Sequence, residues 1–142
     1  MFKVGIVCSI LTILFHISAF VVEAFLITQP SVAERIISKN AAAVDVAMMD
    51  QIAILKVLFF NQGFYNLFLA LGGVAGLLLL NKGKKVQGVT LLVNMCAFAV
   101  GAGLILSLTT TAYLGAVLQA GPPLVALVAF YLWFKRFGSV RL

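Results

Sequence analysis

The chain has 142 residues, of which 63% are apolar and only 10% charged. A soluble domain carries roughly a quarter charged residues, so this composition excludes a water-facing globule, and it excludes disorder as well. The length fits one domain, and what remains is a small integral membrane protein. The net charge of +6 does not point to nucleic acid, because the ten basic residues sit at the chain ends and between apolar runs, where topology accounts for them. Cys8 and Cys96 stand in separate apolar stretches without CxxC spacing, so neither a disulfide framework nor a zinc module is implied. A single histidine, His16, argues against bis-histidine haem.

The first apolar run, Val4 to Thr28, has 25 residues with only His16 and Glu23 ionisable. It is long for a signal-peptide core and lacks a small-x-small cleavage site, so it reads as a permanent span. Pro30-Ser31 followed by Glu34 reads as a capping box opening a short helix, with Val32, Ile36 and Ile37 on the membrane surface and Asn40 ending it. From Ala41 onward Val44, Met48, Ile52 and Leu55 keep helical spacing and lead into the second span.

Val57 to Asn81 is a run of 25 residues without charge, and Val86 to Phe134 is another of 49. A bilayer core of roughly 30 Å needs about 20 helical residues, so the last run is two helices, broken between Ser107 and Ala112 by Thr109-Thr110-Thr111. The short turn Asn81-Lys82-Gly83 makes spans two and three antiparallel neighbours. The expectation is an all-α integral membrane four-helix bundle, a single transmembrane domain over residues 1–142. Its spans lie near 4–28, 55–80, 86–108 and 113–134, with a structured extracytoplasmic loop over 29–54. A β-barrel is disfavoured, since strict alternation is absent and the segments exceed a spanning strand.

Lys3, Lys82, Lys84, Lys85, Lys135, Arg136 and Arg141 fall on one side of this arrangement. Arg35, Lys39 and Lys56 fall on the other, offset by Glu34, Asp45 and Asp50. By the positive-inside rule both termini are cytoplasmic, and a multi-pass protein of the plasma (bacterial inner) membrane is expected. Tyr131 and Trp133 beside Lys135-Arg136 form an interfacial belt.

Polar groups inside a membrane need a partner or a purpose. His16 and Glu23 are two helical turns apart on one face, continued by Ser9, Thr12 and Ala19. Span two holds Asn61-Gln62-Gly63-Phe64-Tyr65-Asn66, which places four polar side chains on one broad face. Span four carries Gln119, then Gly121-Pro122-Pro123, whose prolines leave the carbonyls of Leu118 and Gln119 without helical donors and kink the helix. Counted inward from the outer edges, Glu23, His16, Asn61 to Asn66 and Gln119 all reach the outer half of the bilayer. A polar cavity is expected there, walled by Phe15, Phe20, Phe25, Phe60, Phe64 and Tyr113. Asn94 reads as a packing contact, and Gly72 with Gly76 as small-xxx-small packing, within the bundle or in a dimer. Cys8 and Cys96 read as small apolar residues.

With these residues in view, the chain resembles a family of small four-span membrane proteins of bacteria and fungi, the one numbered 1304 among domains of unknown function. The matching strings are Leu14-Phe15-His16 and Glu23-Ala24-Phe25, then Asn61 through Asn66 with Phe68-Leu69-Ala70, and Gln119-Ala120-Gly121-Pro122. The resemblance covers most of the chain, and its span-two string is the most specific part. Ala120 stands where the family pattern has a glycine. The resemblance implies the four-span architecture and no activity; "epimerase" labels on some members find no catalytic motif here. Sterol-isomerase-like bundles are similar in placing His, Glu and Asn inside a helical cavity, a likeness of architecture alone.

Three functions compete. In the first, the pocket binds a hydrophobic small molecule or lipid, such as a quinone or terpenoid. Glu23 and His16 are then the catalytic candidates for proton-transfer, isomerase-like chemistry, and Asn61, Gln62, Tyr65, Asn66 and Gln119 are the ligand-binding residues. In the second, a small proton-coupled transporter or resistance protein works as a homodimer. In the third, the chain is an accessory subunit of a larger membrane complex. Membrane lipids are partners in all three, and nucleic acid in none. No nucleotide, flavin or metal motif is present, so no cofactor is assigned; His16 with Glu23 makes only two metal ligands.

Overall fold

The computed structural model describes residues 1–40 and 46–137. Ala41, Val44, Asp45 and Arg141 therefore lie outside the described residues. The elements in order are α1 (Phe2–Ala24), a 3-10 turn (Leu26–Thr28), α2 (Pro30–Asn40), α3 (Met48–Asn81), α4 (Lys85–Thr109) and α5 (Tyr113–Phe137). No strand occurs among the described residues. Four helices, α1, α3, α4 and α5, are long and apolar enough to cross a membrane. In hydrocarbon a helix satisfies its own backbone, which is why uninterrupted apolar runs take this form.

The four long helices form a ring in which α1 packs beside α3, α3 beside α4, α4 beside α5 and α5 beside α1. Neighbours run antiparallel. A Cβ on Gly63 would meet Ala24, whereas one on Gly73 would meet Ile13, so the two helices descend past each other in opposite directions. One end of the bundle, the terminal end, therefore holds the start of α1, the end of α5 and the α3–α4 turn. Lys3, Lys82, Lys84, Lys85, Lys135 and Arg136 gather there. The opposite end holds α2 and the α4–α5 link.

The α3–α4 turn is closed by Gly83 at φ 76°. Its N–H donates to the Leu80 carbonyl at 3.0 Å and that of Lys84 to the Leu79 carbonyl at 2.9 Å. This paired bonding caps the helix with a left-handed residue that glycine adopts without steric cost. The α4–α5 link is shorter than the sequence suggested, only Thr110 to Ala112, with Thr110 extended at φ −141°, ψ 173°.

At the terminal end the bundle is filled. Ile13, Ala70, Leu92, Met95, Cys96, Ala126 and Phe130 make one buried cluster. The α3–α4 seam closes through Gly76 and Gly88, where a Cβ on Gly76 would sit 3.0 Å from the Gly88 carbonyl oxygen. The small pair on α3 that packs within the bundle is thus Gly73 and Gly76; a Cβ on Gly72 would meet nothing within 4 Å, so of the two contacts expected for the 72–76 pair, within the bundle or in a dimer, the first is not made.

The other end is built differently. Helix α3 begins at Met48 and runs straight into the second span, as the helical spacing of Met48, Ile52 and Leu55 led one to expect, and its first turns find a partner. Ile27, Ala33 and Ile37 are buried against Met48, Ile52, Leu55 and Phe59. The apolar face of α2 thus packs on protein, and Ile36 and Ile37 do not lie on the membrane surface as expected. Nor does Ser31 cap α2. The helix starts at Pro30, with the N–H groups of Val32 and Ala33 donating to the Gln29 carbonyl at 3.0 and 2.9 Å. Proline takes the first helical position, with its φ preset and no N–H to satisfy, which puts Ser31 inside the first turn. Beyond α2, the Thr111 N–H and hydroxyl both donate to the Lys39 carbonyl, at 3.0 and 2.9 Å, which ties α2 to the α4–α5 link. Helix α5 runs through Pro122 and Pro123 without interruption, so the expected disturbance does not break it.

Candidate functional site

Between the helices at the α2 end lies a partly open cavity of about 700 Å³. Its shape follows from where small residues seal the ring. Gly63 fits against Ala24 and the Phe20 carbonyl, holding α1 on α3, and Gly103 fits against Ala116 and Ala120, holding α4 on α5. The contacts that hold α3 to α4, at Gly76 and Gly88, and α1 to α5, at Gly5 and Phe130, sit at the terminal end. The two helix pairs thus part like a wedge toward α2, and Ala19, Ala102, Ala112 and Gly115 leave room between them.

Six polar side chains from four helices line the cavity: Ser18 and Glu23 from α1, Gln62 and Asn66 from α3, Thr109 from α4 and Gln119 from α5; the hydroxyls of Ser18 and Thr109 donate to carbonyls of their own helices, Leu14 and Ile105. Glu23, Gln62 and Asn66 come together because Glu23 faces the stretch of α3 around Gly63 across an antiparallel pair. Phe15, Val22, Ile36, Phe59, Ile105 and Leu106 supply the apolar wall.

Asn66 is the centre of the arrangement. Its Nδ2 donates to Glu23 Oε2 at 2.7 Å, and its Oδ1 lies 2.6 Å from His16 Nδ1. Since the amide oxygen can only accept, His16 Nδ1 carries the proton and donates. Asn66 is 7% exposed and His16 fully buried, with the Phe15 ring edge-on to the imidazole at 5.5 Å. His16 Nε2 is buried with no hydrogen-bond partner among the described residues. The face below continues inward with Ser9 and Thr12, also buried, their hydroxyls donating to the carbonyls of Gly5 and Cys8. Gln62 and Gln119 make no side-chain hydrogen bond among the described residues, so two amides and the other oxygen of Glu23 remain available to whatever enters.

The structure therefore brings together Glu23, Gln62, Asn66 and Gln119, and sets His16 behind Asn66, off the wall. It places Asn61 and Tyr65 elsewhere. They line a shallower groove of about 350 Å³ on the outside of α3, with Leu55, Leu58, Phe59 and Gln62. The reason is helical phase. Each step along a helix turns about 100°, so Asn61 and Tyr65 share one face while Gln62 and Asn66 share the adjacent one, and only the latter pair faces inward. Tyr65 is 65% exposed. The expected aromatic wall is corrected in the same way. Phe20, Phe25, Phe60 and Phe64 stack on one another across α1 and α3, with Phe20 and Phe64 ring centroids 5.2 Å apart, and do not line the cavity. Tyr113 is exposed at the start of α5, whereas Phe15 does line the cavity.

Among the described residues no three His, Cys, Asp or Glu side chains converge in a way that could hold a metal ion. Asn66 is among the residues singled out in the sequence, but its bridge between His16 and Glu23, partners 50 and 43 residues away, is not specified there. An amide two turns deep in a span is its only local signal. No curated protein and no solved structure matches this chain. The family model for proteins of unknown function DUF1304 matches residues 10–131, a stretch that contains every residue of the cavity from Phe15 to Gln119, and the chain belongs to that family.

Proposed function

We propose that this protein binds a hydrophobic small molecule or lipid in the cavity at the α2 end, by a polar head group that the wall amides and Glu23 receive. The observation that carries the reading is the pair of amides, Gln62 and Gln119, that line the same largely apolar cavity as Glu23 and have no side-chain hydrogen-bond partner among the described residues. A fold lock would pair these groups with each other, since unpaired polar groups in an apolar setting are costly. A ligand carrying a hydroxyl or carbonyl completes them.

Among the described residues Glu23 is the one titratable group on the wall, so in this reading a proton given to or taken from the ligand passes through its carboxyl. Asn66 fixes that carboxyl in place, and His16 anchors Asn66. Because His16 is buried and off the wall, it acts on the ligand only through Asn66 and is a positioning residue, not a further proton carrier. The groove of Asn61 and Tyr65 shares Phe59 and Gln62 with the cavity, which makes it the approach from the lipid side.

Six of the nine described basic residues stand at the terminal end and three at the α2 end, which supports cytoplasmic termini and a pocket in the outer half of the cell membrane. The filled core at the terminal end favours binding from one side over passage across the bundle.

The test is direct. The protein is purified into lipid nanodiscs, and small molecules that survive purification are identified by mass spectrometry, with farnesol and a short-chain quinone as added probes. The parent should retain a polar-headed hydrophobe. Glu23→Gln and Gln119→Ala should each weaken retention about tenfold, the equivalent of roughly 1.4 kcal/mol. A parent that holds nothing, and that Ala102→Phe leaves unchanged in every assay, would end this reading.

A further inference from the structure

The outer face of α4 carries a polar group that the cavity does not use. Asn94 is exposed rather than packed between helices, contrary to the sequence expectation, and makes no hydrogen bond among the described residues. Along Lys85–Thr109 it stands about 14 Å from one end and about 22 Å from the other at 1.5 Å per residue. That is well inside a hydrocarbon layer of roughly 30 Å. Acyl chains offer a carboxamide neither donor nor acceptor, so this position calls for a partner.

The surroundings of Asn94 indicate which partner. Thr90, Asn94, Ala97, Gly101, Leu104 and Leu108 are all exposed and follow one another at alternating steps of four and three. That spacing averages 3.5 residues, the repeat that keeps a seam facing a neighbouring helix in a left-handed pair. The middle of the seam is small, and a Cβ on Gly101 would meet nothing within 4 Å. The Thr90 hydroxyl is already bonded to the Val86 carbonyl at 2.9 Å, so Asn94 is the seam's free polar group. The outward faces of α1 and α5 offer no equivalent. Val7, Leu11 and Leu14, and likewise Leu124, Val125 and Val128, are apolar.

We propose that the chain forms a parallel homodimer through α4, with the Asn94 side chains of two copies hydrogen bonded across the two-fold axis. A second copy is the occupant that fits, for two reasons. A carboxamide is both donor and acceptor, so it complements itself when symmetry sets a position opposite its own copy. A left-handed pair also needs the same 3.5 repeat on both helices, which an identical helix supplies along the whole span. This interface is independent of the cavity and of any ligand in it.

The experiment uses the full chain in membranes. Asn94→Cys, Ala97→Cys and Gly101→Cys are introduced singly and oxidised with copper phenanthroline, with Val125→Cys and Val128→Cys on α5 as controls. The parent, whose Cys8 and Cys96 lie off the seam, sets the baseline. The seam variants should form disulfide-linked dimers and the α5 variants should not. In a complementary measurement, energy transfer between labelled copies is followed as lipid dilutes them. Asn94→Leu should weaken dimerisation about 3- to 30-fold, the range of an interhelical polar contact in a bilayer, and Asn94→Gln should restore most of it. Seam cysteines that cross-link no better than the α5 controls, or an Asn94→Leu protein that dimerises like the parent, would overturn the proposal. A non-identical partner on this face would give the first of those results.

Discussion

The two ends of this bundle are made from the same four helices and do opposite things. At the terminal end Ile13, Leu92, Met95 and Phe130 meet glycines that leave no space for a Cβ, and all four sides of the ring close. At the α2 end the pairs α1–α3 and α4–α5 stay sealed by Gly63 and Gly103 but part from each other, and the space between them is lined by polar groups. The contrast teaches that in a small membrane bundle a pocket needs no extra domain. It is enough that the glycines closing two of the four seams sit at one end only. The short helix α2 then bridges the gap, packed on the projecting start of α3 and tied at Lys39 to Thr111.

The sharpest way to break this contrast is to force the closed end apart. Gly73→Val puts side-chain atoms into Met95 and Ile13 and should destabilise the bundle by about 3 kcal/mol, the upper part of the overpacking range. Gly72→Ala, one position earlier and facing open space, should be neutral or stabilising by up to about 1 kcal/mol. Reversible unfolding in mixed micelles compares the two.

Next in size is the polar knot at the open end. Asn66→Ala leaves Glu23 and His16 without their shared partner and should cost about 1–3 kcal/mol, together with retention of the ligand. His16→Ala should weaken retention less than Glu23→Ala if His16 acts only through Asn66. Isothermal titration of farnesol against the three variants gives that order.

Filling the wedge separates fold from function. Ala102→Phe should change stability by less than about 1 kcal/mol, because the added ring enters existing space, while binding is lost. The smallest effect belongs to the tie on α2. Thr111→Val removes one of two bonds to the Lys39 carbonyl at an exposed site, and should raise amide exchange in α2 by about three- to fivefold, the equivalent of roughly 0.5–1 kcal/mol.

Much of this architecture was legible in the residues. Charge-free runs locate four spans because a bilayer imposes a length, and the polar residues worth watching stood out because apolar neighbours surround them. Helical phase within Asn61 to Asn66 was not legible. Four adjacent polar residues mark a helix but not the direction in which it is turned, and only packing of Gly63 against Ala24 decides that Gln62 and Asn66 face inward. Asn94 failed for the same reason, in the opposite sense. The start of α3 was legible in the spacing of Met48, Ile52 and Leu55, but its packing on α2 was not, because that is a tertiary contact.

Thiol accessibility tests the wedge most directly. Ala19→Cys and Ala102→Cys lie on the cavity wall, whereas Ala70→Cys and the native Cys96 lie in the filled core. In proteoliposomes N-ethylmaleimide should label the first two and leave the others unmodified, and added farnesol should protect the labelled positions. Equal silence at all four sites, or equal labelling, would contradict a bundle that is closed at one end and hollow at the other.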